Sequence, residues 1–448
     1  MVRAPTQRNL QRAYLESFQK GFALDGPVWL QHIRAEGKTC FEEKGFPTHR
    51  EEDWKYTNVA PIARATFTPS WDCIRGEEPR FDIGPFTFGE PNWSRLVFVN
   101  GVYSEALSCV SNLPEGVRVT TLADAIARES EVIEEHLSRY ASYHDNAFTA
   151  LNTAFIQDGA FIYVPDGKVV EEPIHLLFVA AGGREAIVSH PRNLVIVGRG
   201  STATIIESYV CLSNGAYFNN AVTEVVAGAD TQVEYYKLQR ESETAFHVGT
   251  TQVHQGRDSR FSSFYLDIGA KLARHNLNVL LDGNGGGCNL DGLYFVTGEQ
   301  HVDNHTMVDH LSSHTTSRQL YKGILSGSSR AVFNGKVVTR KGTIQVDANQ
   351  TNKNLLLSDY AQANTKPQLE IFADDVKCGH GATVGQLDED AVFYMNSRGI
   401  DHENARTLLT YGFARDVVDR IRIERVRAVL DDLVLVWLQR DLATKETR

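Results

Sequence analysis

Paired cysteines are missing. Six cysteines, at positions 40, 73, 109, 211, 288 and 378, are scattered over 448 residues with no CxxC spacing. In a chain this long they do not form a disulfide framework. Free thiols and a cytoplasmic setting are therefore expected, with most of these cysteines acting as small buried apolar residues. Long apolar runs are missing too. The densest, Leu176 to Ala181 and Leu433 to Leu438, are far shorter than a bilayer requires. Met1 to Arg8 has no apolar run behind it, which argues against a secretory leader. Excess positive charge is lacking as well. A formal charge of -11 and a pI near 5.8 argue against nucleic-acid and anionic-membrane partners. There is no Gly-x-x-x-x-Gly-Lys-Ser/Thr loop for ATP and no Gly-x-Ser-x-Gly elbow. Gly283 to Gly287 is glycine-rich, but no helical pattern follows, so it reads as a turn rather than a dinucleotide loop.

What the chain does have is a repeat. Short β-rich runs meet turn residues at Gly198, Gly228, Gly256 and Gly283, and the beat continues at Ser312, Lys341 and Asp374. The intervals are 30, 28, 27, 29, 29 and 33 residues. Such a period means stacked coils, each covering its neighbour's apolar face. The runs, such as Leu194 to Val197, Thr202 to Ile206, Val233 to Tyr236 and Phe261 to Ile268, are β-branched and aromatic. No helix of crossover length separates them, which excludes a doubly wound sheet. A sandwich predicts turns every 8–12 residues without a longer beat. A mainly β fold with a parallel β-helix core over 151–398 is the better reading.

Residues 1–150 form a mainly helical N-terminal region. Leu10, Tyr14, Phe18 and Phe22 predict an amphipathic helix over Asn9 to Phe22, and a second helix is predicted over Leu122 to Tyr140. The stretch Phe46 to Trp93, with six prolines, reads as loop. Leu96 to Val99 followed by Asn100-Gly101 reads as a strand ending in a tight turn. Residues 399–448 turn helical, with Asp401 as N-cap. Leu409, Phe413, Val417 and Ile421 form one apolar stripe, and Val426, Leu430, Leu433 and Trp437 form another. One stripe can pack on the coil. The other can serve a partner or fold inward.

Three groups of residues carry potential chemistry. Asp282, Asp291, Asp303 and Asp309 mimic the acid cluster of a β-helical polysaccharide enzyme, although acidic turns on a soluble coil explain them more simply. His301, His305, His310 and His314 lie within one coil. In an unbroken strand the first two share one face and the last two the other, so a single four-histidine metal site is not expected. Cys378 and His380 sit two apart in Val376-Lys377-Cys378-Gly379-His380-Gly381-Ala382-Thr383. In an extended strand both leave the same face. A thiol beside an imidazole is a ligand pair for iron or zinc. Two ligands do not complete a cluster site, which needs four, so the rest would come from another chain unless the pair is structural.

The run Val376 to Gly385, with Phe393-Tyr394 and Ser397-Arg398-Gly399-Ile400, resembles the signature of the SufD family of iron–sulfur cluster assembly proteins. The resemblance extends to Glu52-Asp53-Trp54-Lys55-Tyr56-Thr57, Tyr163 to His175, Ser317-Arg318-Gln319, Phe333-Asn334-Gly335 and Gln350 to Ser358. The related SufB pattern places a cysteine near Lys353 and a Glu-His-Glu stretch at 378–380, and this chain has neither. The resemblance implies a right-handed parallel β-helix flanked by helical N- and C-terminal regions. It implies a non-enzymatic scaffold that pairs with SufB through its β-helix and docks the SufC ATPase through residues 400–440. His380, with Cys378 beside it, is then the residue supporting a nascent iron–sulfur cluster shared with SufB, and no cofactor is held stably by the chain alone. A homodimer in isolation is an open alternative, and a purely self-associating coil or a glycan-cleaving β-helix are the rival classes.

Overall fold

The computed structural model describes residues 11, 12, 14–16, 18, 22, 25–70, 82–182 and 185–446. Its core is a parallel β-solenoid of about eight turns, with helices at both ends of the chain. Each turn gives one strand to each of two sheets. Successive turns stack in register, so that Phe218 lies against Phe246 in one sheet and Val233 against Phe261 in the other.

The beat seen in the sequence is set by backbone contact between turns. Gly228 N donates to Val197 O and Gly256 N to Ala227 O, both at 2.8 Å. A Cβ added at Gly283 would fall 2.0 Å from Arg257 N, so no side chain fits there. Inward-facing Val195, Ala221, Val253, Leu277 and Val308 fill the interior. Alternate residues face outward and are covered. On one sheet, Phe218, Phe246 and Leu272 are buried under Phe41, Phe46, Trp54, Phe67 and Phe148 of the N-terminal region. We call this the N-covered sheet. On the other, the C-covered sheet, Tyr236, Phe264, Leu293, Phe295 and Leu320 are buried under the C-terminal helices.

In the N-terminal region, Leu10 lies outside the described residues. Positions 11, 12, 14–16 and 18 are helical, and Phe22 is not, although its ring packs edge-on against Phe155. Cys73 also lies outside the described residues. Asn100 and Gly101 take φ of 50° and 82°, joining Ser94–Val99 to Val102–Tyr103 as an antiparallel hairpin. The helix predicted over Leu122 to Tyr140 is instead two, Leu122–Arg128 and Ser130–His136. It ends early because the buried Glu224 carboxylate accepts from the backbone N–H of Ser138, Tyr140 and Ala141 at 2.8–2.9 Å. Those groups cannot also serve a helix.

At the C-terminus, Asp401 caps His402–Val418 by accepting from Asn404 N at 2.9 Å. A second helix spans Glu424–Glu446. Both stripes fold inward. Val417, Ile421, Val426, Leu430 and Trp437 are all buried against the C-covered sheet, and the half-buried Phe413 and Leu433 pack at its margin.

The two ends of the solenoid differ. At the N-terminal end, short antiparallel strands Arg118–Thr121 and Val102–Tyr103 finish the sheets. At the other end the last strands, Gln362–Ile371 and Asp375–Gly385, each pair on one side only. They are half-buried to exposed throughout, unlike every earlier coil.

Candidate functional site

Cys378 and His380 lie on the last strand of the C-covered sheet. In register, Cys378 stands beside Ala348 and His380 beside Gln350. Ala348, Gln350 and Asn352 are buried and face the solenoid interior, so Cys378 and His380 share the interior-facing side of their strand. No further coil covers them. Cys378 is half-buried against the interior cluster, and His380 is exposed at the rim. Burial pushes the Cys378 thiol up, the Ala348 backbone N–H pulls it down, and the Asp347 carboxylate adds to the rise. The thiolate is therefore scarce at neutral pH in the isolated chain.

The open end also carries exposed apolar side chains. Tyr360, Ile371, Phe372 and Val384 are 44–76% exposed. Scattered exposed apolar residues are ordinary, but these four all lie in or beside the last coil, whose strands have unpaired edges. Lys366 ties the penultimate strand back to Glu52, linking this end to the Glu52 to Thr57 motif.

That motif is docked on the outer face of the N-covered sheet. Thr57 Oγ1 lies 2.8 Å from His301 Nε2 and donates to Asp303 at 2.5 Å. Arg274 donates to Asp303 at 2.7 Å and to Asp53 O at 2.6 Å, with its guanidinium 3.8 Å over the Trp54 ring. His305 Nε2 lies 3.0 Å from Asp303 Oδ1, an ion-pair contact without hydrogen-bond alignment. Burial pushes the Asp303 carboxyl up, but Arg274 and His305 outweigh it and hold it well below the usual carboxylate range. His301 and His305 do share one face. His310 and His314 do not share the other, because the strand ends at His310 and His314 sits in the turn with φ of 59°. His310 points inward and contacts Thr315 and Ser317. Among the described residues no three histidine, cysteine or acidic side chains converge as a metal site.

The four aspartates do not form one acid cluster, and three of them are in strands rather than turns. Each has its own base: Asp282 with His254, Asp291 with Arg420, Asp303 with Arg274, and Asp309 with Arg340. Burial raises Asp291 to about 6 despite Arg420. The C-terminal helices also leave apolar side chains outward. Phe393, Tyr394 and Leu408 stand 49–73% exposed, next to the open end, and Leu435 and Val436 are exposed further along. Sequence reasoning missed the polar interior beneath His380, where Gln319 and Gln350 stand in register. Aligning the coils at their own period exposes that column.

Fold and site together define a parallel β-solenoid, covered on both faces and capped at one end, with a thiol–imidazole pair on its open end. Residues 178–413 match the family model described as SUF system FeS cluster assembly, SufBD core domain. Residues 9–176 match the SufBD protein N-terminal region. The chain belongs to the SufBD family of iron–sulfur cluster assembly proteins. It is 34% identical over 400 residues to an iron–sulfur cluster assembly SufBD family protein of Synechocystis, covering 87% of this chain and 86% of that one. It is 29% identical over 431 residues to the iron–sulfur cluster assembly protein SufD of Escherichia coli, covering 95% and 96%. It is 27% identical over 440 residues to SufD of Bacillus subtilis, covering 96% and 98%. No described helix is long and apolar enough to cross a membrane.

Proposed function

We propose that the chain is a non-enzymatic scaffold subunit that acts in the cytoplasm, whose open end joins a SufB-type paralogue around a shared nascent cluster. One observation carries this reading: His380 is exposed on an unpaired strand edge, beside Cys378 and an apolar rim. Edge N–H and C=O groups are ready to extend a sheet into a second solenoid. Cys378 and His380 offer two ligand atoms to iron or sulfide, and the paralogue supplies the others. The cluster is cargo, assembled at the joint and passed on, and the chain alone holds none stably. An ATPase of the SufC type docks on the C-terminal helices, where Phe393, Tyr394 and Leu408 are uncovered, and its motion reaches the joint through helices packed on the C-covered sheet.

The test is co-expression of the chain with SufB- and SufC-type partners, followed by affinity capture and anaerobic iron and sulfide analysis. His380→Ala is expected to leave folding and capture intact and to abolish cluster assembly in cells. Normal assembly in that variant removes His380 from the mechanism, and failure of the wild-type chain to capture either partner removes the scaffold reading.

A further inference from the structure

We propose that the solenoid interior holds a file of water that conducts protons between a lateral cleft at Ser189 and Asn219 and the open end, where Gln350 closes it. The interior is not uniformly apolar. The cleft, about 10 Å³, sets Ser189, Tyr217 and Asn219 among apolar Phe178, Val179 and Ile187, and is the size that holds one water. Asn219 Nδ2 donates to Glu241 Oε1 at 2.6 Å. Glu241 Oε2 accepts from Gln239 at 2.9 Å and lies 2.8 Å from His247 Nδ1, whose N–H is not aimed at it.

The next step is a gap made by a glycine. A methyl at Gly249 would fall 3.0 Å from His247 Nε2, 3.1 Å from His275 Nδ1 and 3.3 Å from Lys237 Nζ. Three nitrogens thus surround the space that its missing side chain leaves. His275 stands in register with Asn304. Asn304 and Thr306 face the interior from the same strand, and Thr306 Oγ1 donates to Gln319 Oε1 at 2.7 Å across it. Gln319 is in register with Gln350, and Gln350 with His380. Turned so that its nitrogen faces Gly335 O at 3.0 Å and its oxygen Val337 N at 3.2 Å, Gln350 closes the file just beneath His380.

Polar atoms along this line have no hydrogen-bond partner among the described residues: His275 Nδ1, both amide atoms of Asn304, Gln319 Nε2 and Tyr321 Oη. All belong to residues at most 3% exposed. Single orphans occur in any protein, but a column of them in successive coils is not tolerated dry. Neighbouring coils are about 4.8 Å apart, too far for a direct bond and right for a bridging water. The titratable groups facing the interior from both sheets include Glu207, Lys237, Glu241, His247, Asp267, His275 and His310, with the phenols of Tyr209, Tyr235, Tyr265, Tyr294 and Tyr321 among them. A proton entering at the cleft displaces another at the far end, so the file's charge is unchanged.

A crystal structure of the full chain, with neutron diffraction after transfer to D2O, tests this. Ordered waters bridging His275, Asn304 and Gln319 are expected, with the Tyr321 hydroxyl and the His275 ring nitrogen deuterated. Asn304→Leu, and independently Gln319→Met, should remove waters and leave Tyr321 protonated over the same soak. A dry wild-type interior overturns the proposal, and so does unchanged exchange in a variant that has lost its waters. These readouts need no partner or cluster, so they stand apart from the outcome of the His380→Ala experiment.

Discussion

Glu224 shows how much one side chain decides here. Its carboxylate is fully buried, paired with Arg192 at 2.6 Å and gripped by three backbone N–H groups that end a helix. Removing it strands the Arg192 guanidinium in the core. Glu224→Ala should cost about 3–5 kcal/mol, read as a fall in the denaturant midpoint. The buried histidines act with a definite sign. Burial lowers His310 to about 4, and lowers His175 and His190 to about 3. The unfolded chain, with histidines near their ordinary value of about 6.5, binds more protons between about pH 6.5 and 4. Stability is therefore fully present above that window and falls as pH drops through it, by on the order of 3 kcal/mol at pH 4 for His310 alone. Urea melts from pH 7 to 4 should show this slope, and His310→Asn should flatten it.

At the scale of elements, the last two strands pair on one side only and are the place of the proposed joint. Charges on them should block end-to-end pairing without disturbing the fold. Phe372→Glu with Val384→Lys is expected to shift stability by no more than about 0.5 kcal/mol per site and to weaken capture of the paralogue by about tenfold or more. Equal capture would move the joint elsewhere. Much of this architecture is legible in the sequence for a physical reason. The glycines at 228, 256 and 283 recur because each turn rests on the backbone of the one before. Asp401 is readable because capping is local. The helix stop near residue 136 is not readable, because Glu224, which takes the N–H groups, lies 86 residues beyond Ser138. Nor is the exposure of the Cys378 strand. Its alternation is that of any interior strand, and only the lack of another coil leaves it open. The inward fold of both C-terminal stripes is likewise a tertiary choice between two patterns of equal merit.

For the whole molecule, stability runs along the solenoid as a chain of neighbour contacts. The middle coils are covered on both faces by the N-terminal aromatics and the C-terminal helices. Residues 362–385 lean on one neighbour only. Hydrogen exchange should therefore be slowest in strands such as Phe246–Gln255 and fastest, within the solenoid, at Gln362–Ile371 and Asp375–Gly385. Binding of the paralogue should slow exchange in those last two strands selectively, and uniform protection along the rod would contradict a joint at that tip. The blunt start and adhesive finish of the rod have a further result. A rod sticky at one tip alone would take one mate there, so end-to-end growth would halt at two rods and open-ended fibres would not form.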